Sequence, residues 1–194
     1  TCVLPHAASS RSGDTPGFPV TIGAGTGRSF KLTSDLQVPD QNTTAILITA
    51  SNVSLDLNGF SIQGTTTCTF TPYATCTPSG TGIGVSGPGG TEVRNGSIIG
   101  MGGRGVSLTF DASISDLRVL NCGNGGIALG PGSVARSLVA SANSGTGVSL
   151  DFRAAIHDSV VANNGGFGVL AGRGTVVRNN VVNSNQFDGL FCSG

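Results

Sequence analysis

Four basic side chains, Arg94, Arg136, His157 and Arg178, stand at multiples of 21 residues from one another, in a chain that holds only ten Lys and Arg. Stacked on one face, they would form a ladder able to hold the carboxylates of an anionic polysaccharide through charge-assisted hydrogen bonds. The acidic residues do not match them. Asp116 and Asp158 share one 21-residue phase but sit two periods apart with Ser137 between, and Asp111 and Asp151 fall in different phases. Hydrolysis of a glycosidic bond takes carboxylates that converge, commonly about 5–9.5 Å apart. These aspartates read instead as isolated turn residues, and no catalytic residue is expected. Two histidines, one Met and no CxxC exclude a soft-ligand copper site and a Cys/His zinc site, so no metal or cofactor is expected.

The five cysteines point to an exported protein. Cys68 and Cys76 lie eight apart in the Thr/Pro-rich run TTTCTFTPYATCTPSG, where a short loop closed by a disulfide is expected, projecting from the body. Cys2, Cys122 and Cys192 remain, an odd number that raises intermolecular pairing. The chain starts at Thr1 with no apolar leader, which reads as a secreted chain whose signal peptide has been removed. No apolar run approaches the roughly 18 residues of a membrane span.

The elements that must position these residues follow from composition and period. Of 194 residues 32 are Gly, about 16% against roughly 7% in average usage, with one Lys and one Glu. Charged helices are thereby excluded. Ten basic and ten acidic residues cancel, which removes a global electrostatic case for nucleic acid. Gly84, Gly105, Gly126, Gly147, Gly168 and Gly189 recur at a constant step of 21. Numbering each repeat from its glycine, position 2 is always apolar (Val85, Val106, Ile127, Val148, Val169, Leu190), and in–out–in alternation over positions 2–4 reads as a half-buried strand after a turn glycine. Position 10 (Val93, Ile114, Ala135, Ile156, Val177) marks a second short strand, and Val139, Val160 and Val181 a third. Position 18 stacks Asn143, Asn164 and Asn185, a residue that tolerates left-handed bends and whose amide can bond to the next in the column.

A unit of three short strands cannot bury its own apolar face; stacked at about 4.8 Å, each strand pairs with its counterparts above and below. The expected fold is all-β, a single-domain right-handed parallel β-helix of about seven coils with three sheets. Residues 1–18 are expected to form an arm or partial cap and 19–194 the helix. The latter carries an inserted loop over 64–80 and is regular from Gly84.

The run SFKLTSDLQVPDQNTTAILITASNVSLDLNGFSIQG, with GIGV and VRNGSIIG after it, resembles secreted bacterial β-helix proteins of the pectate-lyase-like class with periplasmic-copper-protein-like repeats. That class holds lyases, hydrolases, epimerases and adhesins, so the resemblance implies the fold and little of the function. The paired aspartates, Gly-His-Gly and Arg-x-Lys of its polygalacturonases are absent here. Its calcium-dependent lyases need an acidic cluster beside a base, and the basic ladder has no acidic partner column.

Two functions remain as expectations. The first is a non-catalytic extracellular structural protein that associates with itself head to tail, even into filaments. The last repeat stops at GLFCSG with no cap, so Leu190, Phe191 and Cys192 would stack on the first coil or arm of a neighbour. A disulfide from Cys2 to Cys192 or Cys122 would cross the junction. The second is an anionic-polysaccharide-binding protein, or a degenerate carbohydrate-active enzyme, using Arg94, Arg136, His157 and Arg178.

Overall fold

The computed structural model describes residues 2–4, 17–23 and 28–193. Among them are strands and turns but no helix, hence none long and apolar enough to cross a membrane. Sheet one has eight parallel strands: Val20–Ile22, Ile46–Ile48, Val85–Gly87, Arg104–Leu108, Gly125–Leu129, Val148–Leu150, Val169–Ala171 and Leu190–Cys192. Each opens one coil, which gives eight coils rather than seven. The additional coil arises because Val20–Ile22, ahead of the segment containing Phe30 and Leu32, already pairs with Ile46–Ile48.

The expected second and third sheets are ladders of one 13-stranded sheet. They merge because coils 3 and 4 pass the bend between them as the unbroken strands Glu92–Ile99 and Ser113–Leu120. In later coils the bend divides Val134–Arg136 from Val139–Ser141, Ala155–His157 from Val160–Ala162, and Val176–Arg178 from Val181–Asn183. The register repeats the 21-residue step: Val85 opposes Val106, then Ile127, Val148, Val169 and Leu190. Between the faces lies one aliphatic core that includes Ile46, Leu55, Ile98, Ile114, Ile127 and Ile156. Of the arm, Cys2–Leu4 adds a strand parallel to Ser29–Leu32 of the same chain, with Cys2 opposite Phe30.

The periodic glycine has a different cause from the one expected. Gly84, Gly105, Gly126, Gly147 and Gly168 do not carry the positive φ of a left-handed turn. They sit where the chain enters sheet one against the core. A Cβ on Gly84 would stand 2.4 Å from Ile98 Cγ2, and one on Gly105 2.2 Å from Val119 Cγ1. Close approach, not backbone freedom, requires glycine there. The left-handed residues lie elsewhere. Asn95, Asp116, Ser137, Asp158 and Asn179 take φ between 53° and 60° at the bend between the merged ladders, and Asn121, Ala142, Asn163 and Ser184 take φ between 52° and 63° at the bend leading into the asparagine column.

Asn143, Asn164 and Asn185 therefore point inward one residue past a bend, and their amides form the expected chain. Asn143 Nδ2 donates to Asn164 Oδ1 at 3.0 Å, and Asn164 Nδ2 to Asn185 Oδ1 at 2.9 Å. Their second N–H bonds reach Val119 O and Ala140 O, and the backbone N–H groups of Asn143 and Asn164 also donate to the next amide oxygen. Asn143 and Asn164 are fully buried, which a polar side chain tolerates only when its hydrogen bonds are made.

The insertion is an antiparallel hairpin, Thr67–Phe70 with Ala74–Thr77, closed by a Cys68–Cys76 disulfide. It does not project. Ala74 and Cys76 are buried, and Cys76 Sγ lies 3.6 Å from Ala142 O of coil 5. A Cβ on Gly165 of coil 6 would stand 2.5 Å from Ala74 O. Small residues on the hairpin meet a glycine-lined turn on the coil, so two flat backbones come into contact and the insertion lies along the helix.

Candidate functional site

Register brings the predicted basic residues into one outward column. Lys31, Asp56, Arg94, Ser115, Arg136, His157 and Arg178 oppose one another in that order. Arg136, His157 and Arg178 occupy consecutive coils, about 4.8 Å apart by strand spacing. Arg94 is set apart from them by Ser115, and it is engaged: its Nε is 3.5 Å from Asp56 Oδ2 and its Nη1 3.2 Å from Glu92 Oε1. Burial opposes the charge on Asp56, yet the Asn58 backbone N–H, the Asn95 amide and Arg94 together hold its carboxyl below the usual range. His157 Nδ1 lies 2.7 Å from Asp158 Oδ2. That hydrogen bond, then one from Asn179, lowers the Asp158 carboxyl. The acidic counterparts of the ladder thus come from the neighbouring coil and the next residue rather than from an acidic column. An anion gripped by Arg178 would lie in the field of the Asp158 carboxylate, which Arg178 also helps to hold low.

Sequence reasoning missed a second surface, the outer face of sheet one. Its floor is the small column Ser107, Ala128 and Ser149, ending at Leu170. Two hollows adjoin there, of about 360 Å³ and 340 Å³, sharing Ser149 and Leu170. Asp151 lines the first; Arg104, Asn124, Thr146, Phe167 and Phe187 line the second. Phe167 stacks tilted against Phe187 and Phe191, with ring centroids 5.3 and 4.9 Å away. On the opposite margin Phe110 and Phe152 are exposed, each directly following a residue at the edge of sheet one. Of the nine Phe residues, only Phe30 belongs to the buried core. Phe18 and Phe60 pack half-buried against that mainly aliphatic core, and the other six rings lie towards the surface. A signal was present in the repeats, since Phe110 and Phe152 share position 6, and Phe187 and Phe167 fall at positions 20 and 21.

The remaining predicted residues lie far from both surfaces or at one end. Leu190, Phe191 and Cys192 pair with Val169–Ala171, and all three are exposed in coil 8. The side chain of Cys2 lies outside the described residues. Cys122 cannot take part in a junction disulfide as the chain is folded. It is fully buried in coil 4, and burial pushes its thiol up to about 12, which leaves no thiolate for exchange. Among the described residues no group of three His, Cys, Asp or Glu is placed to hold a metal ion.

Parallel coils of 21 residues, stacked strand on strand around an aliphatic core with an internal asparagine chain, define a β-solenoid. The chain belongs to the right-handed β-helix family, whose model, described as the right handed beta helix region, matches residues 39–194. Neither a curated protein nor a solved structure shows significant similarity to it.

Proposed function

We propose that the chain is a non-catalytic, extracellular β-helical module that binds extended polysaccharide along the outer face of sheet one. The pair of adjoining hollows over Ser149 and Leu170, walled by Phe167 and Phe187, carries this reading. A sugar ring offers an apolar face and a rim of hydroxyls. Aromatic rings take the face, while Ser149, Thr146 and Asn124 offer partners for the rim. The lining has one carboxylate, Asp151, whereas glycosidic hydrolysis takes two. The Cys68–Cys76 disulfide suits an oxidising compartment. Arg136, His157 and Arg178, on another face, add an attraction for uronate polymers that salt would screen.

Affinity electrophoresis through gels containing neutral or uronic-acid polysaccharides tests the reading. Retardation that persists in high salt and is lost in Phe152→Ala/Phe187→Ala supports the groove. Equal mobility in every gel overturns polysaccharide binding, and retardation abolished by salt together with Arg136→Ser/Arg178→Ser would move the site to the ladder.

A further inference from the structure

The disulfide hairpin covers a third hollow that the groove does not include. By strand alternation Phe70 shares a face with Cys68, Cys76 and Ala74, because the register pairs Cys68 with Cys76 and Phe70 with Ala74. Ala74 and Cys76 touch down on the coils and are buried, but Phe70 remains 53% exposed. Beneath it is a gap of about 300 Å³, lined by Phe70, Pro72, Tyr73, Asn163 and Ser184. Asn163 and Ser184 are the left-handed bend residues of coils 6 and 7, so the backbone fixes where their side chains start. A hairpin that served stability alone would bury its largest apolar residues. This one buries Ala74 and Cys76, and leaves Phe70 and Tyr73 over a polar floor.

We propose that this slot binds one ring of a neutral saccharide. Its roof is aromatic, its floor offers an amide and a hydroxyl, and its lining has no charged side chain. That composition matches a ring with one apolar face and a hydroxylated edge. It offers nothing to balance a carboxylate. The disulfide and the seated Ala74 hold the roof in place before the ligand arrives, which lowers the entropic cost of binding. The slot lies apart from the sheet-one groove and stands or falls independently of it.

Tyr73 is the sole tyrosine and the chain has no Trp, so intrinsic fluorescence reports this slot alone. The full chain, with its disulfide intact, is titrated with cellohexaose, xylohexaose and a galacturonic-acid hexamer while Tyr73 emission is followed. A saturable change with a neutral hexamer is expected. It should weaken about fivefold to tenfold in Phe70→Ala, weaken in Asn163→Ala, and stay unchanged in Phe152→Ala. No change with either neutral hexamer overturns the proposal, as does a response confined to the charged hexamer or one that Phe70→Ala leaves intact. A response lost in Phe152→Ala would likewise overturn it by placing the ligand in the groove.

Discussion

Two columns of the same coil behave in opposite ways. Asn143, Asn164 and Asn185 stack inside: Asn164 accepts from Asn143 and donates to Asn185, while Asn143 accepts from the Cys122 backbone N–H and Asn185 donates to Val161 O, so each amide in the column is bonded to the coil beside it. Arg136, His157 and Arg178 stack outside at the same interval, and there repetition places basic groups, each without an acceptor for the next, one above another. The inner column relies on Asn being both donor and acceptor. The outer one is tolerable because solvent screens it and Asp158 lies beside His157. A strict repeat therefore amplifies whatever a side chain does to its own copy. It strengthens an amide and weakens a lone charge.

The difference can be tested most sharply from inside. Asn164→Ala removes two donors and an acceptor that serves Asn143 twice, stranding buried groups on both sides. We expect a loss of about 3 kcal/mol in denaturant unfolding; a loss under about 1 kcal/mol would show that the column is incidental. Asn185→Ala is expected to cost about 1–2 kcal/mol, since Asn185 is half-buried and its loss leaves solvent within reach of Asn164. Equal losses at the two positions would contradict the graded burial.

On the outer column Arg136→Ser is expected to change stability by no more than about 0.5 kcal/mol, with a small gain at low salt that fades as salt is added. A loss above about 1 kcal/mol would show that the ladder is structural after all. The smallest effect concerns Asp158. Its carboxyl is held low by the bond from His157, so the folded state holds its proton less tightly than the unfolded state does. Its contribution is present above the ordinary carboxylate value and is lost as pH falls through the lowered folded value. His157→Gln should move the Asp158 midpoint upward in an NMR titration of carboxyl carbons. A midpoint that does not move would remove His157 as the cause.

The fold was legible because a coil must bury the same positions each time. Val85, Val106 and Val148 repeat since every copy meets the same core, and one column of glycines marks the period. Even so, the reason for the glycines was hidden. A turn and a tight corner both demand the absence of a Cβ, and only the 2.4 Å approach toward Ile98 separates them. The ladder was legible in register but not in charge, because Asp56 reaches Arg94 from an irregular coil whose spacing breaks the 21-residue step. The groove was harder still. Ligand-facing side chains need not recur in every coil, so Phe110, Pro131, Phe152 and Arg173 fill one position with three chemistries. Nothing periodic shows which way an inserted hairpin will lie, and its seat on Ala142 and Gly165 depends on residues about 70 to 90 positions further along.

The hairpin also alters how the rod would respond to force. A solenoid pulled from one end peels a coil at a time, since each coil holds only its neighbours. The hairpin leaves the chain between coils 2 and 3, yet it rests on Ala142 of coil 5 and Gly165 of coil 6 and overhangs Ser184 of coil 7. It acts as a batten fastened across the seams. Tension applied at the last coil meets the batten when coil 6 begins to lift off Ala74, and part of the load then passes through the disulfide-closed hairpin to its root ahead of coil 3. In a force–extension trace this would appear as one tall rip spanning several coils in place of a staircase, and reducing the disulfide would restore the steps.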